Sequence, residues 1–260
     1  MTNPNVIVEV SDRVATITLN RTKAMNALNR ELVDELTGTL LSLQDNKDVR
    51  CIVLTGNGKA FCAGGDLSYL SELNDPIVIR KFIVDVGKVA LTIMNMDKPV
   101  IAMVNGVAAG AGFNLALACD IIICAQSAKF AQSFSKVGLI PDCGGLFLLP
   151  RLVGLPKAKE LMFTADLIDA VTASSLGLVN RVVEDAKLKD DVYTLAHKLT
   201  ESAPIAIGFT KRMINQSFDL DVETIFQREA ELQTACMRTQ DYKEGVAAFK
   251  EKRQPVFKGI

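Results

Sequence analysis

The sequence predicts an α/β fold that gives way to a helical C-terminal region. Three observations carry this prediction. Continuous apolar runs closed by glycine recur, as in strands covered on both faces. Segments of helical period lie between them. Beyond about Asn180 the strand signals fade and long polar-apolar periodic segments take over.

The elements follow in order. "NVIVEV" and "RVATITLN" alternate in polarity on either side of "SD", which reads as a hairpin. "NALNRELVDELTGTLLSL" places Leu28, Leu32, Leu36, Leu40 and Leu43 at helical spacing, with Asn26 as the expected N-cap. "VRCIVLTG" is a continuous apolar run ended by Gly56, and "DKPVIAMVNG" and "CDIIICA" read the same way. Between the last two, "VAAGAGFNLALA" is rich in small and helix-forming residues, so strand, tight turn and buried helix repeat. The units differ in length and motif, which excludes a tandem repeat. The C-terminal region is carried by "DAKLKDDVYTLAHKLTESA" and "VETIFQREAELQTACM", and the closing "DYKEGVAAFKEKRQPVFKGI" is basic towards its end. The expected division is a core over 1–195 and a helical region over 196–260.

With 260 residues the chain can bury a substantial core. Its 29 basic and 30 acidic residues nearly cancel, so no global field would gather nucleic acid or an anionic membrane. The expected partner is a small molecule or another subunit. Six cysteines without a CxxC pair and a single histidine, His197, argue for a reduced, cytoplasmic setting and against a metal site. The start, "MTNPNVIVEVSDRV", has no leader pattern, and no later segment approaches a spanning length free of charge.

Three stretches can form a site. In "GKAFCAGGDLSYL", Gly64 and Gly65 remove side chains so that backbone amides can approach a ligand. In "NGVAAGAGFNLALACD", Gly110, Ala111 and Gly112 stand at the expected start of a helix, where unsatisfied amides favour negative charge. Two such amides aimed at one oxygen would make an oxyanion hole, and losing one donor typically costs ~3 kcal/mol of transition-state stabilisation. Taken alone, each glycine run is better explained by tight turns and close packing. The third stretch, "FAQSFSKVGLIPDCGG", sets one carboxylate, Asp142, among apolar, amide and glycine residues, where a Pro-Asp turn is the plain alternative.

The pieces "LNRTKAMNAL", "IVLTGNGKAFCAGGDLSYL", "KPVIAMVNGVAAGAGFNLALACDIII", "AKFAQSFSKVGLIPDCGGLFLLPRLVG" and "RQPVFKG" stand in an order that resembles the crotonase superfamily, the enoyl-CoA hydratase/isomerase group, from about Val6 onward. The resemblance implies a spiral of ββα units followed by a helical trimerisation region, assembled as a homotrimer or a dimer of trimers. It implies a substrate carried as a coenzyme A thioester, with no permanently bound cofactor. It assigns the oxyanion-hole amides to Gly65 and Ala111, beside Gly110. Lys23 and Ala24, with the backbone of Ala63, Gly64, Asp66, Leu67 and Ser68, are implied to lie along the adenine and pantetheine, and Lys258 near phosphates, possibly a neighbouring subunit's.

Hydratases of the group use two glutamates, and here those positions read Asn114 and Phe134. Hydration needs water deprotonated as it attacks and a proton delivered to the adjacent carbon, so losing both carboxylates removes that machinery. Asp142 stands where many hydratases have glycine, and "FSKVGLIPDCGG" is similar to the phenylacetate-pathway ring-enoyl-CoA isomerases. A double-bond shift needs one base. The expected activity is therefore enoyl-CoA isomerisation, with Asp142 moving the proton. The alternatives are a hydratase using Asp142 with water placed by Asn114, or a silent acyl-CoA-binding subunit. Plain roles are expected elsewhere: packing for Cys143, turns for Asp66 and Asp120, a solvated face for His197. Phe134 could line an unsaturated acyl group or simply pack. One contest stays open, because helix amides after Asp142 would lower its pKa while burial would raise it.

Overall fold

In the computed structural model, which describes residues 4–260, strands β1 (Val6–Ser11) and β2 (Val14–Leu19) form the expected hairpin, with Val6 opposite Leu19. The first three residues of the stretch read for a leader lie outside the described residues. The turn is Asp12-Arg13, one residue later than the sequence suggested, and both have positive φ, as a two-residue hairpin turn requires.

Helix α1 (Arg30–Asp45) starts later than expected. Its cap is Asn29, whose Oδ1 accepts from the Leu32 N–H at 3.1 Å. Asn26 is instead fully buried with φ 58°, and its Nδ2 donates to Ala60 O at 2.8 Å, tying the preceding loop to the next strand pair. Three pairs of strands follow. β3 (Cys51–Gly56) and β4 (Ala60–Cys62) lead to α2 (Leu67–Glu72) and α3 (Pro76–Asn95). β5 (Val100–Val104) and β6 (Val107–Ala109) lead to α4 (Ala111–Leu117). β7 (Ile121–Ala125) and β8 (Lys129–Ala131) lead to α5 (Gly145–Thr164), which is broken at Gly154 between Pro150 and Pro156.

Each pair contributes its long strand to one sheet and its short strand to another. The larger sheet has the order β1-β2-β3-β5-β7-β10, parallel beyond the first hairpin, and the smaller β4-β6-β8-β9, where β9 is Ile168–Asp169 and β10 is Arg181–Val183. Between these last two strands lies α6 (Ala170–Ser175). Strand β10 corrects the expectation that strands end by Asn180; at three residues it carries no readable period. The ββα spiral follows from this alternation.

Both faces of the larger sheet are covered, which is why β3 is buried throughout. Leu32, Leu36 and Leu40 of α1 and Phe82, Val86 and Ile93 of α3 pack on one side with Ile52 and Leu54. On the other, Cys51, Val53, Ile101 and Ile123 meet Leu188, Val192 and Ala196 of α7 (Leu188–Thr200). The division expected between 195 and 196 thus falls inside one continuous helix.

Helices α8 (Pro204–Gln216), α9 (Val222–Met237) and α10 (Gln240–Glu251) complete the chain. Lys211 fastens α8 to the core: it is 8 % exposed, and its Nζ donates to Asp120 Oδ2 at 2.7 Å and to the carbonyls of Ile93 and Lys98. Helix α9 has no buried residue, and Phe218, Val222 and Phe226 stand exposed around its start. Among the described residues no helix is long and apolar enough to cross a membrane.

Candidate active site

The two glycine runs follow β4 and β6, neighbours in the smaller sheet, so the loops after them lie side by side. Gly64 has φ +99°, and a Cβ there would stand 2.8 Å from Ala109 O and 3.4 Å from Ala111 N. Only glycine lets the two backbones approach so closely. The flanking amides of the first loop are engaged, Ala63 N–H donating to Met25 O and Asp66 N–H to Leu28 O, and the Gly64 carbonyl accepts from the Leu28 N–H. Among the described residues the Gly65 N–H has no acceptor, and neither has the Ala111 N–H, the first of α4. Two free donors therefore flank the junction of the loops.

Asp66 caps α2, accepting from the Ser68 and Tyr69 N–H groups, and pairs with Arg21 at 2.9 Å. Burial pushes its carboxyl up, but the hydrogen bonds from Arg21 and the α2 amides outweigh this and leave it below the usual range. It holds the loop, as expected of a turn aspartate.

Asp142 begins a tight turn. Its carbonyl accepts from the Gly145 N–H at 2.9 Å, and the two central residues are both left-handed, Cys143 at φ 49° and Gly144 at φ 80°. Asp142 Oδ1 is enclosed without a hydrogen-bond partner. Burial pushes the carboxyl up to about 6, opposed only by its own backbone amide. The contest left open by the sequence is decided for burial.

Gly65, Ala111 and Asp142 line one cavity of about 120 Å³, walled by Leu67, Leu70, Ile83, Phe134, Val137 and Leu139. An apolar cavity of about 150 Å³ holds a benzene ring. The space suits the reacting end of a small unsaturated group. A larger hollow of about 580 Å³ lies between α5 and α8, but the carboxyl on its wall, Asp120, is already paired with Lys211.

The structure brings Ala63, Gly64, Gly65, Leu67, Gly110, Ala111, Phe134 and Asp142 to this cavity. Lys23 and Ala24 form a single 3-10 turn beside it, Lys23 exposed, joined through the Met25–Ala63 hydrogen bond. Ser68 is exposed on the first turn of α2. Asn114 does not line the cavity; its Nδ2 donates to Asp142 O at 2.8 Å, a bond to backbone rather than to water or substrate. Lys258 lies in a different cleft with Lys98 and Ile260, its N–H donating to Asp241. Cys143 is buried, and burial holds its thiol well above the usual range, so it packs. His197 is half-buried beside Tyr193 rather than solvated.

Sequence reasoning missed Gln132. It is 1 % exposed, and its Nε2 donates to Asn114 Oδ1 at 2.7 Å. No local signal marked it, because the strand before it, β8, has only three residues and begins with a lysine.

The profile of the enoyl-CoA hydratase/isomerase family matches residues 9–260. Relatives include a short-chain-enoyl-CoA hydratase from Clostridium acetobutylicum, 40% identical with 96% of each chain covered. A 1,2-epoxyphenylacetyl-CoA isomerase from Escherichia coli is 38% identical with 98% of each covered. The crystal structure of an enoyl-CoA hydratase from Bacillus anthracis superposes with a TM-score of 0.95 at 36% identity, covering 98% of this chain and 100% of that one.

Proposed function

The chain belongs to the enoyl-CoA hydratase/isomerase family, a group acting on acyl-CoA substrates, and from that premise we propose that it shifts a double bond within an enoyl-CoA thioester. One observation carries the reading. A lone carboxyl, raised to about 6, shares a small apolar cavity with two free backbone amides.

The thioester oxygen sits between the Gly65 and Ala111 N–H groups. The Asp142 carboxylate takes a proton from the carbon beside the double bond, and the electron pair delocalises through a dienolate onto that oxygen, where the amides stabilise the developing charge. Asp142 then returns the proton to another carbon of the same system. With a pKa of about 6, the group is roughly nine-tenths ionised at pH 7 yet basic enough to accept a proton. Phe134 supplies an apolar wall, Asn114 is tied to backbone, and Ser133 is the only polar side chain besides Asp142 among the described residues of the lining, so no second carboxylate stands there to deprotonate water. Lys23, Ala24 and the Ala63–Ser68 backbone would carry the coenzyme A portion. Assembly as a homotrimer or dimer of trimers is supported by the exposed Phe218, Val222 and Phe226.

A hydratase is the second reading, favoured by the 40% identity to a relative named as one. The two separate when β,γ- and α,β-enoyl-CoA substrates are incubated in deuterated, heavy-oxygen water and products are weighed. Deuterium with a moved double bond and no heavy oxygen is expected. Heavy oxygen in the product would replace the isomerase by the hydratase, and binding without turnover would leave a silent acyl-CoA-binding subunit.

A further inference from the structure

We infer that Gln132 and Asn114 are positioning residues that fix the direction of the Asp142 side chain through its backbone. The inference rests on the reading of Asp142 as the proton carrier. Both amides are fully buried, and neither lines the cavity. They form a directed chain: Gln132 Nε2 donates to Asn114 Oδ1 at 2.7 Å, and Asn114 Nδ2 donates to Asp142 O at 2.8 Å. The first bond sets the second, because a carboxamide whose oxygen faces Gln132 must turn its donor towards Asp142.

What the chain holds is a strained turn. Cys143 is a non-glycine residue at φ 49°, a conformation that persists only where the surroundings over-determine it. Two hydrogen bonds converge on the Asp142 carbonyl, one from Gly145 and one from Asn114. Gly145 itself lies flush on Asn114, since a Cβ there would overlap the Asn114 amide. The arrangement leaves Gln132 Oε1 buried and unpaired, a cost that apolar packing would avoid. Locally unfavourable choices of this kind concentrate at functional sites.

The test uses full-length Gln132→Glu, Gln132→Met, Asn114→Leu and the Gln132→Met/Asn114→Leu pair, beside Asp142→Asn, with a short β,γ-enoyl-CoA. Glutamate cannot donate when ionised, so it turns the Asn114 amide around and presents oxygen to the Asp142 carbonyl. Methionine removes the bond while keeping the volume. Displacing a reacting group by about 1 Å costs on the order of 100-fold, so kcat should fall about 10- to 100-fold with KM within about twofold. The double variant should be no worse than the worse single one, as for residues acting as one unit. Titration of the Asp142 carboxyl by carbon NMR in unliganded protein should show its midpoint lowered towards the ordinary range in Gln132→Met. Unchanged kcat and an unchanged midpoint in both Gln132 variants would overturn the inference even with Asp142→Asn inactive. Full activity of Asp142→Asn would instead overturn the reading of Asp142, and the NMR midpoint would still decide the positioning role.

Discussion

Replacing Asp142 by asparagine should make the protein less active and more stable, and the stability gain should depend on pH in a stated way. Burial raises the carboxyl from 3.8 to about 6. The folded state thus favours the neutral acid. Stability from that preference is complete below the unfolded value and is lost as pH rises through the folded one. The gap between 3.8 and about 6 is worth about 3 kcal/mol once the group is ionised in both states. Asparagine keeps the shape without titrating. The difference between variant and wild type should therefore be less than about 1 kcal/mol at pH 4, between about 1 and 2 kcal/mol at pH 5 and about 3 kcal/mol by pH 7. Urea denaturation at fixed protomer concentration measures it. Over the same range wild-type kcat/KM should rise with a midpoint near the free carboxyl's own, about 6, and the variant should lose about 100-fold or more at pH 7, the ratio narrowing in acid as the wild type is protonated. A stability difference that is flat with pH would refute the argument, because it would place the carboxyl in an ordinary aqueous environment.

Three further substitutions probe the surroundings. Gly64→Ala puts a Cβ 2.8 Å from Ala109 O at a left-handed residue, so the Gly65 amide must move; kcat should drop about 100-fold with little change in KM, read by steady-state kinetics. Phe134→Ala opens the cavity wall, costs about 3 kcal/mol of stability in denaturation, and moves the acid limb of the pH-rate profile below about 6 as water reaches Asp142. Lys211→Met strips the partner from Asp120, whose side chain is 21 % exposed, and should cost about 1 to 3 kcal/mol at neutral pH, less in acid, with Asp120→Asn in the same chain restoring part of the loss.

The hairpin, the doubly covered strand Cys51–Gly56 and the C-terminal helices were legible because period and apolar content are local properties. The smaller sheet was not, since strands of two or three residues are too short to show alternation. Asn26 misled for a related reason: an asparagine before a leucine series has the composition of a cap, but here tertiary bonds to Asn57 and Ala60 hold it left-handed, and Asn29 takes the helix. At the site, the glycines and Asp142 could be read because backbone approach and a lone carboxylate leave composition signatures. Gln132 could not. Its role depends on a partner eighteen residues away in sequence and on burial, neither of which a short window contains.

The same dependence on geometry explains how Asp142 can act as a base while standing just before a helix. A helix start lowers a carboxyl's pKa only when its free amides face the carboxylate. Here the left-handed Cys143 and Gly144 fold the chain back, and the Gly145 N–H, first of α5, donates to the Asp142 carbonyl and not to its side chain. The carbonyl receives a second donor from Asn114, while the carboxyl oxygen Oδ1 receives none. Apart from its own backbone amide, donors are thus directed to the backbone of this residue and away from its side chain. Held fixed with Oδ1 enclosed, the carboxyl is governed mainly by burial, which raises its basicity towards the range a single proton-transfer group needs. If that division is the device, any change that redirects the Gly145 or Asn114 donors towards the carboxylate should lower the acid limb of the pH-rate profile and slow the reaction together, without altering which groups line the cavity.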